Sequence, residues 1–131
     1  MEYLRRKHVC KNQIQKGIKG VREAINYIKN NHSIALMIDQ RVSEGEKINF
    51  FGRPALTTTL PAQLSEKYNL DIIPVYIRRI DNDNFELEFQ KIIKCNDFQN
   101  KIDLTKKLNE ILEKMILKNP SQWIWTHNRW K

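Results

Sequence analysis

The sequence is poor in cysteine and glycine and has no long apolar run. Its two cysteines, Cys10 and Cys95, form no Cys-x-x-Cys pair, which excludes the usual spacing of a zinc site and a dense disulfide framework. We therefore expect free thiols. The longest uninterrupted apolar run is 34–38, whereas a helix that crosses a bilayer needs about 20 apolar residues. As given, the chain is expected to be soluble or peripheral.

Acidic residues are also in the minority. The 131 residues, enough for one domain, include 23 Lys and Arg against 15 Asp and Glu, so the formal net charge is +8. A positive field attracts nucleic acid, an anionic membrane, a phosphorylated substrate or an acidic carrier protein without discrimination. A solvated lysine-rich surface explains the same composition. The charge therefore indicates anionic partners and does not choose among them.

The apolar periodicity predicts three helices, because apolar residues recur at spacings of three and four. Threonines followed by a proline mark the start of the second helix, and the third has Asp103 as a candidate cap. In the third helix Glu110 stands four residues before Lys114, a favourable spacing for an ion pair. The predicted helices run from Ile18 to Asn30 and Asn31, from the start signal Thr57–Pro61 to about Tyr68, and from near Asp103 to Asn119 and Pro120.

Strand signals lie between these helices. The apolar segment Ser33–Ile38 predicts a buried strand because it is short and bounded by polar residues. Ile72–Ile77 predicts a second strand, in which Pro74 favours an edge or a strand end. Asp81–Asn84 predicts a turn, and the alternation in Phe85–Phe89 predicts a strand with one wet face that pairs with the preceding one. The element order indicates an α/β layer structure.

The segment from Arg41 to Pro54 shows no periodicity and is predicted to be a long loop. Asp39 precedes it at the carboxyl end of the predicted buried strand, where open α/β sheets place their ligand crevice. A purely structural interpretation also fits, in which Asp39 caps a turn and Phe50 and Phe51 fill the core. Spacing alone leaves both interpretations open.

Three blocks of sequence occur in an order that is more specific than any one of them. The blocks are Met37–Arg41 with Gly45, Phe50–Ala55, Thr57 and Thr58; then Ile73–Arg79; then Pro120–Lys131. Together they resemble the bacterial lipid A biosynthesis acyltransferases, the lauroyl/myristoyl acyltransferase family. The resemblance runs from Ile18 to Lys131 and covers the later portion of a family member. It implies a single incomplete domain, 1–131, with a partial glycerolphosphate-acyltransferase-like layer structure: a mixed sheet with flanking helices.

The resemblance also implies an activity and its partners. Such enzymes transfer a fatty acyl chain from acyl carrier protein to a lipid A precursor, in lipopolysaccharide and outer-membrane biogenesis. They act at the cytoplasmic side of the bacterial inner membrane, and neither a metal nor an organic cofactor is expected. The implied partners are therefore acyl carrier protein, the lipid A precursor and the inner-membrane surface, with no nucleic acid.

The histidine motif of the family is missing from this sequence. Family members carry an upstream membrane anchor and a His-x4-Asp/Glu motif, whose histidine takes the proton from the acceptor hydroxyl that attacks the thioester. Here Gln13 stands five residues after His8 and Met37 stands five after His32, while His127 has no residue at that distance. We expect that the chain contains no catalytic residue and is inactive alone.

The residues that remain are suited to binding, because guanidinium groups clamp phosphates and free N–H groups at a helix start attract anions. Solvated strand ends and ordinary helix capping are the structural alternatives. For the three tryptophans, packing in the core is favoured over a bilayer interface. The candidate substrate-binding residues are Asp39, Arg41, Thr57, Thr58, Arg78, Arg79 and Arg129.

Two other functions stay open. A basic nucleic-acid-binding module is compatible with the charge, although the sequence has no paired aromatic strand signature, zinc spacing or convincing helix-turn-helix. A catalytically dead membrane-surface protein derived from the acyltransferase fold differs from the leading interpretation only in the region upstream. Binding to nucleic acid at two salt concentrations separates the first of these from an acyltransferase.

Overall fold

The computed structural model describes residues 2–8 and 10–130, which fall into two compact units, Met1–Leu36 and Met37–Lys131. The first unit contains α1 (Glu2–His8) and α2 (Ile18–Lys29). Helix α2 confirms the helix predicted from Ile18. No helix within the described residues is long and apolar enough to span a bilayer.

The second unit is a small mixed α/β structure with two antiparallel hairpins. Helix α3 confirms the helix predicted to end near Tyr68, and α4 ends before Asn119 as predicted. Cys10 and Cys95 are free thiols. The elements of this unit are β1 (Glu46–Phe50), β2 (Arg53–Thr57), α3 (Leu60–Tyr68), β3 (Val75–Arg79), β4 (Phe85–Phe89) and α4 (Lys101–Lys118).

The long loop predicted over 41–54 is wrong, because most of it belongs to the β1–β2 hairpin. The connection is a two-residue turn in which Phe51 has φ 50° and Gly52 has φ 71°, the positive values of a type I′ turn. A phenylalanine rarely adopts this conformation, and the Phe51 N–H is anchored by the Glu113 carboxylate at 2.7 Å. The hairpin residues that are buried alternate along both strands: Ile48, Phe50, Ala55 and Thr57.

The strand predicted over Ser33–Ile38 is also wrong. This segment forms no regular element, and no strand in the described part of the chain pairs with it. Met37 is 82% exposed, whereas Ile38 packs against a core cluster. A strand requires a neighbour that takes up its backbone hydrogen bonds, so an apolar run without a neighbour stays irregular.

Helix α4 supplies apolar residues to both core clusters of the second unit. Toward α3, its Leu104 and Leu108 pack with Ala62 and Ile93. Toward the β1–β2 hairpin, its Ile116 packs with Phe50 and Ala55, against which Trp123 and Trp130 also lie. The amphipathic helix α4 therefore holds together α3, the β1–β2 hairpin and the tryptophan-rich segment 123–130.

The cap of α4 is Asn100 and not Asp103. The Asn100 side chain accepts hydrogen bonds from the N–H groups of Ile102 and Asp103 at 2.9 and 3.1 Å. Asp103 lies within the first turn and accepts a hydrogen bond from the Asn100 side chain, a reciprocal arrangement like a capping box. Farther along the helix, Glu110 pairs with Lys107 at 3.2 Å.

The predicted hairpin between the second and third strand signals is confirmed as β3–β4. Its predicted single wet face is wrong, because all five residues of β4 are exposed. One face is apolar and the other carries Tyr76 and charged side chains, as the register requires. The apolar face consists of Val75, Ile77, Phe85, Leu87 and Phe89, with Arg79 beside Phe85.

The predicted turn between these strands is organised by Asp81. Its carboxylate accepts hydrogen bonds from the Asn84 side chain and from the N–H groups of Asp83 and Asn84. These bonds lower the pKa of Asp81, the side chain of Asn84 contributing most. The ionised carboxylate therefore stabilises the folded turn.

We expect this turn to loosen in acid. Because the pKa is lower in the folded turn, the stabilisation is complete above the ordinary aspartate value of about 4 and is lost as the pH falls through the lowered value. Hydrogen exchange at the Asp83 and Asn84 amides, measured between neutral pH and about pH 2 after correction for the intrinsic rate, gives the protection of the turn. Asp81→Asn is expected to remove this pH dependence. Protection that stays constant in the unsubstituted chain contradicts the prediction.

Candidate functional site

Arg129 lies at the centre of a buried polar cluster and is 0% exposed. Its Nη1 donates to the Leu56 carbonyl at 2.5 Å, and its Nη2 donates to the Thr57 hydroxyl at 2.8 Å. The guanidinium carbon lies 5.2 Å from the centre of the Phe50 ring. Arg129 therefore fastens the C-terminal block, which is the third sequence block and begins at Pro120, to the end of β2.

The Thr57 hydroxyl is saturated by bonds within the chain. It donates to the Ala55 carbonyl at 3.0 Å and accepts from Arg129 Nη2 and, at 3.4 Å, from Asn109 Nδ2. A hydroxyl offers one donor and two acceptor positions, so all three are in use. Asn109 Nδ2 also donates to the Asn49 carbonyl at 2.9 Å, which ties α4 to the same strands.

The carboxylate of Asp39 adjoins this cluster. Burial lowers the pKa of Arg129, and the nearby negative charge of Asp39 opposes that shift. Within the described residues, Asp39 Oδ1, Arg129 Nε and Asn109 Oδ1 are buried and have no hydrogen-bond partner. Buried polar atoms are nearly always paired, so a water or a substrate hydroxyl that reaches Asp39 Oδ1 gains a strong acceptor.

Arg41 is held near the cluster through its backbone. Its N–H donates to His127 Nε2 at 3.3 Å, while the residue itself is exposed. The segment Asp39–Arg41 therefore lies against the C-terminal block. His127 acts here as a hydrogen-bond acceptor, and this requires its unprotonated Nε2.

Gly45 allows the chain after Arg41 to approach β2 closely. A Cβ atom at this position would lie 2.6 Å from the Thr57 carbonyl oxygen and 2.7 Å from its nitrogen. Real side chains do not tolerate such distances, so only glycine fits. The glycine of the first sequence block is thus explained by contact with Thr57.

The tryptophans divide between core and surface. Trp130 Nε1 donates to the Phe50 carbonyl at 3.0 Å, and its ring lies 5.7 Å from that of Phe50. Trp123 packs against the same ring at 5.9 Å, so core packing is confirmed for both residues. Trp125 is 53% exposed and bonds to the Pro120 carbonyl. Lys131, at the end of the third sequence block, lies outside the described residues.

The start of α3 offers few free donors to an anion. Thr58 Oγ1 accepts from the Leu60 N–H at 3.3 Å, and the next residue, Pro61, has no N–H. The Gln63 N–H bonds to the Thr59 carbonyl at 2.9 Å. The role predicted for Thr57 and Thr58 in anion binding stays a prediction, and the hydrogen bonds described here serve the fold.

Arg78 and Arg79 lie elsewhere, on β3. Arg78 is ion-paired with Glu86, and this hydrogen bond raises the pKa of Arg78. Arg79 donates to the Asn82 carbonyl at 2.6 Å and lies 4.4 Å from the Phe85 ring centre. Among the described residues, neither guanidinium hydrogen-bonds to the Arg129 cluster.

The structure thus brings together three predicted residues, Asp39, Thr57 and Arg129, and keeps Arg41 beside them. Sequence reasoning missed Asn109, which is 1% exposed. A polar residue bordering the apolar face of α4 was the available signal, because such a residue is buried only when it has hydrogen-bond partners.

Comparison with known proteins places this sequence in a family. A search of curated proteins gives no match. A family profile described as bacterial lipid A biosynthesis acyltransferase matches residues 4–131, and this range includes all three sequence blocks and the buried cluster. The chain therefore belongs to the bacterial lipid A biosynthesis acyltransferases.

Proposed function

We propose that this chain is the acceptor-binding part of an enzyme that transfers a fatty acyl chain from acyl carrier protein to a lipid A precursor. The observation that carries the proposal is the family match over residues 4–131. The net charge of +8 supports an acidic carrier protein as donor and the anionic cytoplasmic face of the inner membrane as location.

The proposal includes a larger layered fold of the glycerolphosphate-acyltransferase type. Two observations support it: the apolar face of the β3–β4 hairpin is exposed, and the apolar segment Ser33–Ile38 has no strand partner within the described residues. Further strands and helices of a mixed sheet would pair with the segment and cover the face. The base of the reaction, which is the histidine of the His-x4-Asp/Glu motif, would come from the same additional strands and helices.

Within this proposal the residues of the buried cluster have distinct roles. Asp39 Oδ1 accepts a hydrogen bond from a hydroxyl of the acceptor, because it is buried and has no partner in the described part of the chain. Arg41 is exposed and attracts the phosphates of the precursor. Arg129 is a positioning residue, since both its Nη atoms hold β2.

A fusion protein tests the proposed function. We expect the chain to transfer acyl groups when it follows the segment of a family enzyme that carries the His-x4-Asp/Glu motif, and not when it is assayed without that segment. The assay supplies acyl carrier protein loaded with a fatty acid and a lipid A precursor, and mass spectrometry detects the acylated product. A fusion that folds, shown by its circular dichroism, and yields no product contradicts the proposal.

Asp39→Ala in the active fusion is expected to lower the rate of acyl transfer by roughly 10- to 100-fold. This factor corresponds to the free energy of one hydrogen bond to a charged group. Asp97→Ala is the matched control, because Asp97 is an exposed aspartate outside the buried cluster. Equal rates for the two variants would give Asp39 a structural role only.

A further inference from the structure

The face of the β3–β4 hairpin opposite its apolar face lines a shallow cleft. The cleft has a volume of about 320 Å³, which is at the lower end of the range for small-molecule sites. Strands β3 and β4 and the end of α4 each contribute to its walls. The lining residues are Tyr76, Arg78, Glu86, Glu88 and Lys118.

The charges of the cleft balance in two ion pairs. Arg78 pairs with Glu86, and Lys118 Nζ lies 2.9 and 2.8 Å from the two carboxylate oxygens of Glu88. The four side chains are about half exposed, between 47% and 55%. Such exposed pairs contribute little to stability, so a ligand can replace their bonds at small cost. Two positive and two negative groups give no preference for a bare anion or cation.

The cleft also holds hydrogen-bonding capacity that the chain does not use. Both bonds from Arg78 reach Glu86 Oε2, which leaves Oε1 for another donor. The Tyr76 hydroxyl is buried and has no partner among the described residues. Lys118 Nζ lies 5.3 Å from the Tyr76 ring centre, and because this side chain is half exposed it can move aside for a ligand.

We propose that this cleft binds the hydroxyl groups of a sugar ring. The carboxylates of Glu86 and Glu88 accept from sugar hydroxyls, the cationic groups donate to sugar oxygens, and the Tyr76 hydroxyl gains a partner. A neutral ring rich in both donors and acceptors suits the balanced charges, because it can bond to carboxylates and to cationic groups at once. The hydroxyl chemistry follows from the residues of the cleft alone. The choice of the sugar headgroup of the lipid A precursor rests on the proposed function.

Titration of the isotope-labelled full chain with an N-acetylated, and therefore neutral, glucosamine disaccharide, followed by NMR, tests the inference. We expect saturable shifts at the amides of β3 and β4. Tyr76→Phe is expected to weaken binding by about two- to tenfold, and Glu88→Gln by about tenfold or more, because neutral hydrogen bonds are weaker than those to charged groups. The matched controls are Tyr68→Phe, whose ring also lies near a lysine, and Glu110→Gln, which is also ion-paired. Both controls are expected to bind like the unsubstituted chain.

Three results would overturn the inference. The first is the absence of saturable shifts at high sugar concentration, and the second is equal binding by Tyr76→Phe, Glu88→Gln and the unsubstituted chain. The third is a response of the same amides to inorganic phosphate and not to the sugar, which would make the cleft an anion site. If the fusion enzyme is active but the cleft does not bind the sugar, this inference fails and the proposed function stands. If the chain binds the sugar but the fusion enzyme is inactive, the proposed function fails and sugar binding by the cleft stands.

Discussion

Phe50→Ala is expected to lower the free energy of unfolding by about 3–5 kcal/mol, the range for a large aromatic side chain removed from a core. Phe50 is 0% exposed and lies at the junction of Ala55, Ile116 and the rings of Trp123 and Trp130. Two tryptophans and a hairpin cannot collapse readily into the space that the ring leaves, so the cavity persists. Urea denaturation followed by tryptophan fluorescence measures the change, since these indoles report directly on the site.

The matched control is Phe89→Ala, the same substitution at a residue that is 69% exposed. It is expected to change the free energy of unfolding by no more than about 0.5 kcal/mol. A loss below about 1 kcal/mol for Phe50→Ala would contradict the packing described for this cluster.

Arg129→Ala is expected to lower the free energy of unfolding by about 3 kcal/mol, because it removes two hydrogen bonds from a buried, charged donor. The Leu56 carbonyl and the Thr57 hydroxyl each lose one hydrogen bond. The Asp39 carboxylate loses the positive charge beside it. For a chain of this size, that loss corresponds to a fall in melting temperature of about 10 °C.

Two further variants separate geometry from charge. Arg129→Lys keeps the charge but cannot bridge two acceptors with a planar fork, so it is expected to recover less than half of the loss. Arg53→Ala removes an exposed arginine that lies 5.7 Å from the Trp130 ring and is expected to cost less than about 1 kcal/mol. If Arg53→Ala destabilises the chain as much as Arg129→Ala, the buried fork is not the source of the effect.

The helices were predictable because their signals are local. The spacing of apolar residues over several turns fixes α2, α3 and α4 without reference to the rest of the chain. The cap of α4 was misassigned by three residues, since Asn100 and Asp103 both have capping side chains and only their geometry distinguishes them.

The strand errors have a common physical origin in pairing. Ser33–Ile38 has the composition of a buried strand and no partner in the described residues, while β1 and β2 have short patterns and do find partners. The sequence does not indicate the turn between β1 and β2, because its first residue is Phe51 and phenylalanine is rare in turns of this type. Strand formation depends on what lies alongside, and a local pattern does not contain that information.

The candidate site was predictable only through family blocks. The bond from Arg129 to Thr57 joins residues 72 positions apart, and no periodicity or spacing within either segment indicates it. The sequence blocks indicate Asp39, Thr57 and Arg129 as candidate binding residues, together with Arg78 and Arg79. The structure separates the two groups, because β3 belongs to a different hairpin.

The packing of the C-terminal block on β1 and β2 also sets the order in which the second unit can be assembled. The bonds from Arg129 to Leu56 and from Trp130 to Phe50 span 73 and 80 residues, and contacts of such separation form slowly because a long loop must close first. During synthesis, the hairpin leaves the ribosome well before its partners. Its apolar side therefore stays incompletely covered until residue 130 has emerged, and this interval exposes the nascent chain to chaperones and to aggregation.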